Sequence, residues 1–135
     1  MFLLDTNVVS ELRKPRPHGA VVAWIASTGE ALHFVSAVTL AEMQSGAEIT
    51  RRQDSEKALE IDRWIDNVPQ NFRILPMGAA EFREWARIMD SASDTLSMDA
   101  MIAATARVHK LTVATRNTRD FETFGVEIYD PFTYQ

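Results

Sequence analysis

Short apolar runs alternate with amphipathic helical stretches along the whole of this 135-residue chain, and that alternation restricts the fold more than any other feature. The runs are Phe2-Leu3-Leu4, Leu32-His33-Phe34-Val35, Phe72-Arg73-Ile74-Leu75-Pro76, Leu111-Thr112-Val113-Ala114-Thr115 and Val126-Glu127-Ile128-Tyr129. Each has the length of a strand. Strands that alternate with helices imply parallel pairing, right-handed crossovers and helices on both faces of the sheet. The expected architecture is therefore α/β, a three-layer α/β/α domain with a mainly parallel central sheet. Residues 1–135 are expected to form that one domain, since a chain of this length buries roughly two-thirds of its unfolded surface.

The helical stretches follow from the same reading. Phe2-Leu3-Leu4 runs straight into Asp5-Thr6-Asn7 and then into Val8-Val9-Ser10-Glu11-Leu12, a strand, a tight turn and a helix. Arg13-Lys14-Pro15-Arg16-Pro17 stops that helix as a basic loop, because each proline disfavours helix at the residue before it. Val21, Val22, Trp24 and Ile25 give a second helix ending near Gly29, and Ser36 is placed to cap a third that begins at Ala37. After the polar break at Arg51 to Asp54, Ala58, Ile61, Ile65 and Val68 lie at core spacing, and Pro69 to Asn71 are expected to end that helix. Phe82, Trp85, Ala86 and Met89 read as the buried stripe of a fifth. The stretch from Ser97 to Ala106 is apolar nearly all round, which predicts burial on several sides, in the core or in a subunit interface. Arg116 to Phe121 is expected to be a loop. The methionines at 77, 89, 98 and 101 and the three tryptophans read as core residues, and His18, His33 and His109 as structural or surface groups.

Composition narrows the chemistry. No cysteine is present, so disulfides, thiolate catalysis and Cys-containing zinc sites are excluded, in keeping with a reducing cytoplasm. No apolar run reaches the roughly 18 to 20 residues of a membrane span, and no basic stretch precedes the first apolar residues as in a secretory signal. The net charge of −5 argues at first against a polyanionic partner, but carboxylates gathered around divalent cations would offset much of it.

Asp5 stands at the carboxyl end of the first predicted strand, the edge where parallel α/β sheets bind ligands. Its other reading is a helix cap. Asp99 lies in the first turn of the apolar helix, where it also complements the helix dipole. Asp120 follows the fourth strand, and Glu42 sits among the apolar residues of the third helix. A parallel sheet can bring all four to one edge.

Four segments together resemble the PIN-domain ribonucleases, and most closely the VapC-type toxins of bacterial toxin–antitoxin pairs. They are Leu3-Leu4-Asp5-Thr6-Asn7, Ser36-Ala37-Val38-Thr39-Leu40-Ala41-Glu42, Asp99 through Ala106, and Val113 through Phe121. The resemblance implies that Asp5, Glu42, Asp99 and an acid of the last segment, here Asp120, hold a divalent metal, with Asn117 as a neutral neighbour. Mg²⁺ suits a site of carboxylates without His or Cys, with Mn²⁺ as substitute. The implied activity is hydrolysis of RNA by an activated water, leaving a 5′-phosphate and a 3′-hydroxyl. Asp5 and Asp99 are expected at the ion, and Glu42 and Asp120 complete the site. Thr6 and Thr115 are candidates for orienting carboxylates, and Arg13, Arg116 and Arg119 for RNA phosphate contacts. The implied partners are an antitoxin that docks on the helices and a second copy of the chain, for which Met98 to Val108 is one candidate surface.

Two other readings stay open at this stage. A catalytically weak module of the same fold would contact antitoxin or RNA without cutting, and Asn117 is the feature that keeps it in view. A phosphatase of the haloacid dehalogenase kind also begins with a strand ending in aspartate, but requires a second aspartate where this chain has Asn7.

Overall fold

The alternation resolves into five short strands and seven α-helices, and the computed structural model describes residues 1–135 throughout. The strands are β1 (Phe2–Leu4), β2 (His33–Ser36), β3 (Arg73–Leu75), β4 (Thr112–Ala114) and β5 (Ile128–Tyr129). The helices are α1 (Thr6–Arg13), α2 (Gly19–Thr28), α3 (Ala37–Arg51), α4 (Ser55–Asn71), α5 (Ala79–Met89), α6 (Ser97–His109) and α7 (Thr118–Glu122).

All five strands form one sheet in the order β3-β2-β1-β4-β5, and every neighbouring pair is parallel. The expected mainly parallel sheet is thus wholly parallel. β1 is central because its alternation serves two cores. Leu3 and Val113 face one layer, with Ile88 of α5, Ile102 and Ala103 of α6, and Phe121. Leu4 and Ala114 face the other, with Val8 and Val9 of α1, Trp24 of α2, Met43 of α3 and Ile65 and Val68 of α4. Successive strand residues point to opposite faces, so two neighbouring leucines anchor both layers at once. From β1 the chain winds outward through β2 and β3, then returns to β4 on the other side. The β1/β4 crevice is therefore the point where strand order reverses, the place such sheets bind ligands.

α4 ends at Asn71, within the stretch from Pro69 to Asn71 expected to end it. Pro69 forgoes the N–H bond to the carbonyl four residues back, a loss confined to the end of the helix, and the Phe72 N–H closes that end on the Val68 carbonyl at 2.9 Å. Other expectations need correction. The stripe of α5 is rotated by about one residue: Glu81 and Ile88 are buried and Trp85 half-buried, whereas Phe82 is 45 % exposed. The Glu81 carboxylate accepts the Gly78 N–H at 3.2 Å, which lets a charged residue take an inward position. Part of the predicted loop is α7, pinned by the edge-to-face pair Phe121 and Phe124 at 5.7 Å between ring centres. Met98 is 38 % exposed, not core. Ala100 and Ile102 to Ala106 of α6 are covered within one chain, so a partner copy would meet only the edges of that helix. No helix is long and apolar enough to cross a membrane.

Candidate active site

Parallel register brings the strand ends together. Leu4 stands beside Val35 and Ala114, so the next residues along, Asp5, Ser36 and Thr115, share one edge. All three are buried. Asp5 satisfies both of its sequence readings. It caps α1, its Oδ1 accepting the Thr6 N–H at 2.8 Å, while Oδ2 accepts the Thr115 hydroxyl at 2.8 Å and the Asn7 amide at 3.2 Å. Two sites of demand on one carboxylate hold it in a single orientation.

From Asp5 a continuous network runs in two directions. On one side Thr6 Oγ1 donates to Glu42 Oε1 at 2.8 Å, which leaves the Thr39 hydroxyl as donor to Thr6 at 3.0 Å. On the other, Thr115 Oγ1 accepts the Asn117 N–H at 2.9 Å and the Asn7 amide at 3.3 Å. Asn117 Nδ2 then donates to Asp120 at 2.8 Å and to Asp99 at 3.4 Å. Asp5, Glu42, Asp99 and Asp120 are thereby joined through Thr6, Thr115 and Asn117.

Two residues of this network carried no role in the sequence reading. Asn7 binds Asp5 and Thr115 and accepts the Arg116 N–H at 3.2 Å, tying the loop after β4 to α1. Thr39 is fully buried on α3. Their one local signal was position, beside Asp5 and three residues before Glu42 respectively. The three arginine candidates fare differently. Arg116 lies 4.0 Å over the Phe132 ring and Arg119 is exposed on α7, whereas Arg13 is half-buried beside a cavity that Glu42 also lines.

None of the four carboxylates pairs with a lysine or arginine. Burial above all raises the Asp5 pKa, against hydrogen bonds from Thr115 and Thr6, and the Glu42 charge adds to the rise. Glu42 is also raised, chiefly by burial. Asp99 is pushed up to about 6 by burial and then by the charges of Asp5 and Asp120. Negative charge is thus concentrated where only neutral donors oppose it.

Such an all-oxygen, uncompensated donor set suits a hard divalent cation. As placed, no three acidic or histidine side chains converge closely enough to hold one ion between them. An ion bound here would keep several of its waters and meet one or two carboxylates directly.

The PIN domain family model matches residues 2–126. The chain belongs to the PIN-domain family. Among curated proteins it is 36 % identical to Toxin FitB of Neisseria gonorrhoeae, over 98 % of this chain and 99 % of that one. It is also 36 % identical to the VapC ribonuclease Y4jK of Sinorhizobium fredii, over 98 % of each. The solved structure of FitAB bound to the IR36 DNA fragment superposes with a TM-score of 0.83, at 34 % identity over 100 % of this chain and 98 % of that chain. In this PIN-domain chain the five-stranded parallel sheet and its flanking helices are those of the family, and curated relatives include VapC ribonucleases.

Proposed function

We propose that this PIN-domain chain is a Mg²⁺- or Mn²⁺-dependent endoribonuclease and the toxin of a toxin–antitoxin pair. The observation that carries the reading is the hydrogen-bonded set Asp5, Glu42, Asp99 and Asp120 at the β1/β4 crevice, without a single cationic side chain to balance it. Asp5 and Asp99 would hold the ion, with Glu42 and Asp120 holding its waters. When bound, a divalent ion supplies Lewis acidity for activating water and for stabilising charge on the phosphate. The chain supplies orientation: Thr115 and Asn7 fix Asp5, Thr6 fixes Glu42, and Asn117 spaces Asp99 from Asp120. Glu42, held by the Thr6 hydroxyl at 2.8 Å and placed at the ion's waters, is suited to receive the proton of an attacking water.

FitAB and VapBC are solved as complexes on DNA, which supports an antitoxin partner for this chain as well. A second copy of the chain is also proposed. The test of the activity is incubation of a mixed RNA pool with purified protein in Mg²⁺, Mn²⁺ or EDTA, with analysis of product ends. Cleavage in metal alone, leaving 5′-phosphates, is expected. Metal-induced stabilisation with no cleavage of any RNA would instead favour the non-cutting binding module.

A further inference from the structure

Arg13, at the end of α1, is half-buried and makes no ion pair, so its charge is available to a partner outside the carboxylate network. It lines two cavities. The first, of about 250 Å³, lies among α1, α3 and α4 and is bounded by Thr6 and Glu42 of the carboxylate network. Ser10 and Thr50 supply hydroxyls to its wall, and Met43 and Ile61 supply the apolar surface. The second, of about 300 Å³, shares Arg13 with the first and is lined mainly by α4. Its wall carries Lys57, Glu60, Arg63, Asn67 and the half-buried indole of Trp64. Lys57 has only a 3.7 Å contact with Glu60, and Arg63 has no ion pair.

We propose that these two cavities form one track for single-stranded RNA, leading from the carboxylates past Arg13 to a basic, aromatic-walled end. The inference rests on the ribonuclease reading and adds to it the path of the substrate. Charge is the main argument. A chain of net charge −5 places Arg13, Lys57 and Arg63 around one cavity, with Glu60 as the single acidic residue of that wall, next to a cavity that reaches Glu42. A phosphate backbone needs such a stripe, and single strands are held where cations track the backbone and an aromatic ring takes a base. The first cavity, with hydroxyls around an apolar floor, suits a base and its sugar. Cavities of about 250 and 300 Å³ admit the nucleotides of a single strand and not a stacked duplex.

Gly46 makes the track testable without damage to the fold. It lines the first cavity, and a Cβ added there would meet nothing within 4 Å. Gly46→Leu therefore adds bulk at the cavity wall while α3 keeps its path. The experiment measures anisotropy of a dye-labelled, random-sequence RNA of about 12 nucleotides. It is bound in Mg²⁺ to Asp99→Asn protein carrying in turn Gly46→Leu, Arg13→Ala, Arg63→Ala or, as control on the other face of the sheet, Arg87→Ala. Melting temperatures confirm that each folds. Expected are losses of about tenfold for Arg13→Ala and Arg63→Ala, each a lost charged hydrogen bond. Their salt slopes should flatten by about 0.7 for each phosphate contact removed. Gly46→Leu should bind more weakly at unchanged salt slope, and Arg87→Ala should match the parent. In the cleavage-competent chain Gly46→Leu should raise KM more than it lowers kcat. Equal affinity across all four variants, or losses shared by Arg87→Ala, would overturn the track and leave the cavities to a polypeptide partner. Losses at Arg13 and Gly46 without any cleavage by the wild type would keep the track and remove the ribonuclease. Cleavage with unchanged KM in Gly46→Leu would do the reverse.

Discussion

Replacing Asp99 by asparagine should stabilise the metal-free protein. Asp99 is half-buried beside Asp5 and Asp120, and its pKa stands at about 6 against an ordinary 3.8. At about 1.4 kcal/mol for each pKa unit, that rise sets a ceiling of about 3 kcal/mol of destabilisation from the charged form. Partial exposure screens the charges, which brings the expected gain to about 1–2 kcal/mol. For a chain of this size that is an increase in Tm of about 3 to 8 °C. The pH dependence follows from the direction of the shift. The folded state binds the Asp99 proton more tightly than the unfolded state, so the penalty is absent below the ordinary carboxylate pKa and grows as pH rises through about 6. Wild type and Asp99→Asn should therefore melt apart in EDTA at pH 7.5 and converge near pH 4. Mg²⁺ or Mn²⁺ should raise the wild-type Tm and raise the variant's less. A ligand at a hundred times its Kd contributes about 2.7 kcal/mol, enough to outweigh the repulsion. Differential scanning fluorimetry across pH, with and without metal, reads all of this. An Asp99→Asn protein that melts at or below wild type in EDTA at pH 7.5, or a gain that persists at pH 4, would refute the repulsion argument.

Three further outcomes are expected. Thr115→Val removes a buried hydroxyl that donates to Asp5 and accepts from Asn7 and Asn117, so it should cost about 1–3 kcal/mol in denaturant melts and about 10- to 100-fold in cleavage. His33 is fully buried, with Nε2 2.7 Å from the Thr28 hydroxyl and Nδ1 unpartnered, and burial holds its pKa below the usual 6.5. The unfolded chain therefore binds the proton better, and stability should fall as pH drops below about 6.5, with that slope absent in His33→Leu. Lys110 closes α6 in the left-handed region at φ 57°, so Lys110→Gly should raise stability by about 0.5–1 kcal/mol, read as a higher Tm.

The sheet and the location of the site were legible because their determinants are local. Phe2 to Asp5 spells a strand that ends in a carboxylate, and Ser36 caps α3 through the Val38 N–H as its position suggested. Thr6 and Thr115 were marked as orienting groups and do bond Glu42 and Asp5. What escaped were features decided by distant partners. Asn7 meets Thr115 across 108 positions, and its amide competes equally well for local turns in any sequence reading. The α5 stripe was misplaced because Glu81, an inward residue, looks polar until its bond to Gly78 is seen, while Phe82 looks buried by type alone. α7 was hidden by its shortness: Phe121 and Phe124 hold five residues in helix through packing, where propensity alone could not. The cavities beside Arg13 combine α1, α3 and α4, a surface that no linear motif describes.

The most direct test of the central claim is single-turnover cleavage of pooled RNA by wild type and by Asp5→Asn, Glu42→Gln, Asp99→Asn and Asp120→Asn, each in Mg²⁺, Mn²⁺ and EDTA. The account predicts cutting by wild type in metal only, and its loss in Asp5→Asn and Asp99→Asn while both remain folded. Cutting that persists in EDTA, or that survives in Asp5→Asn, would contradict it.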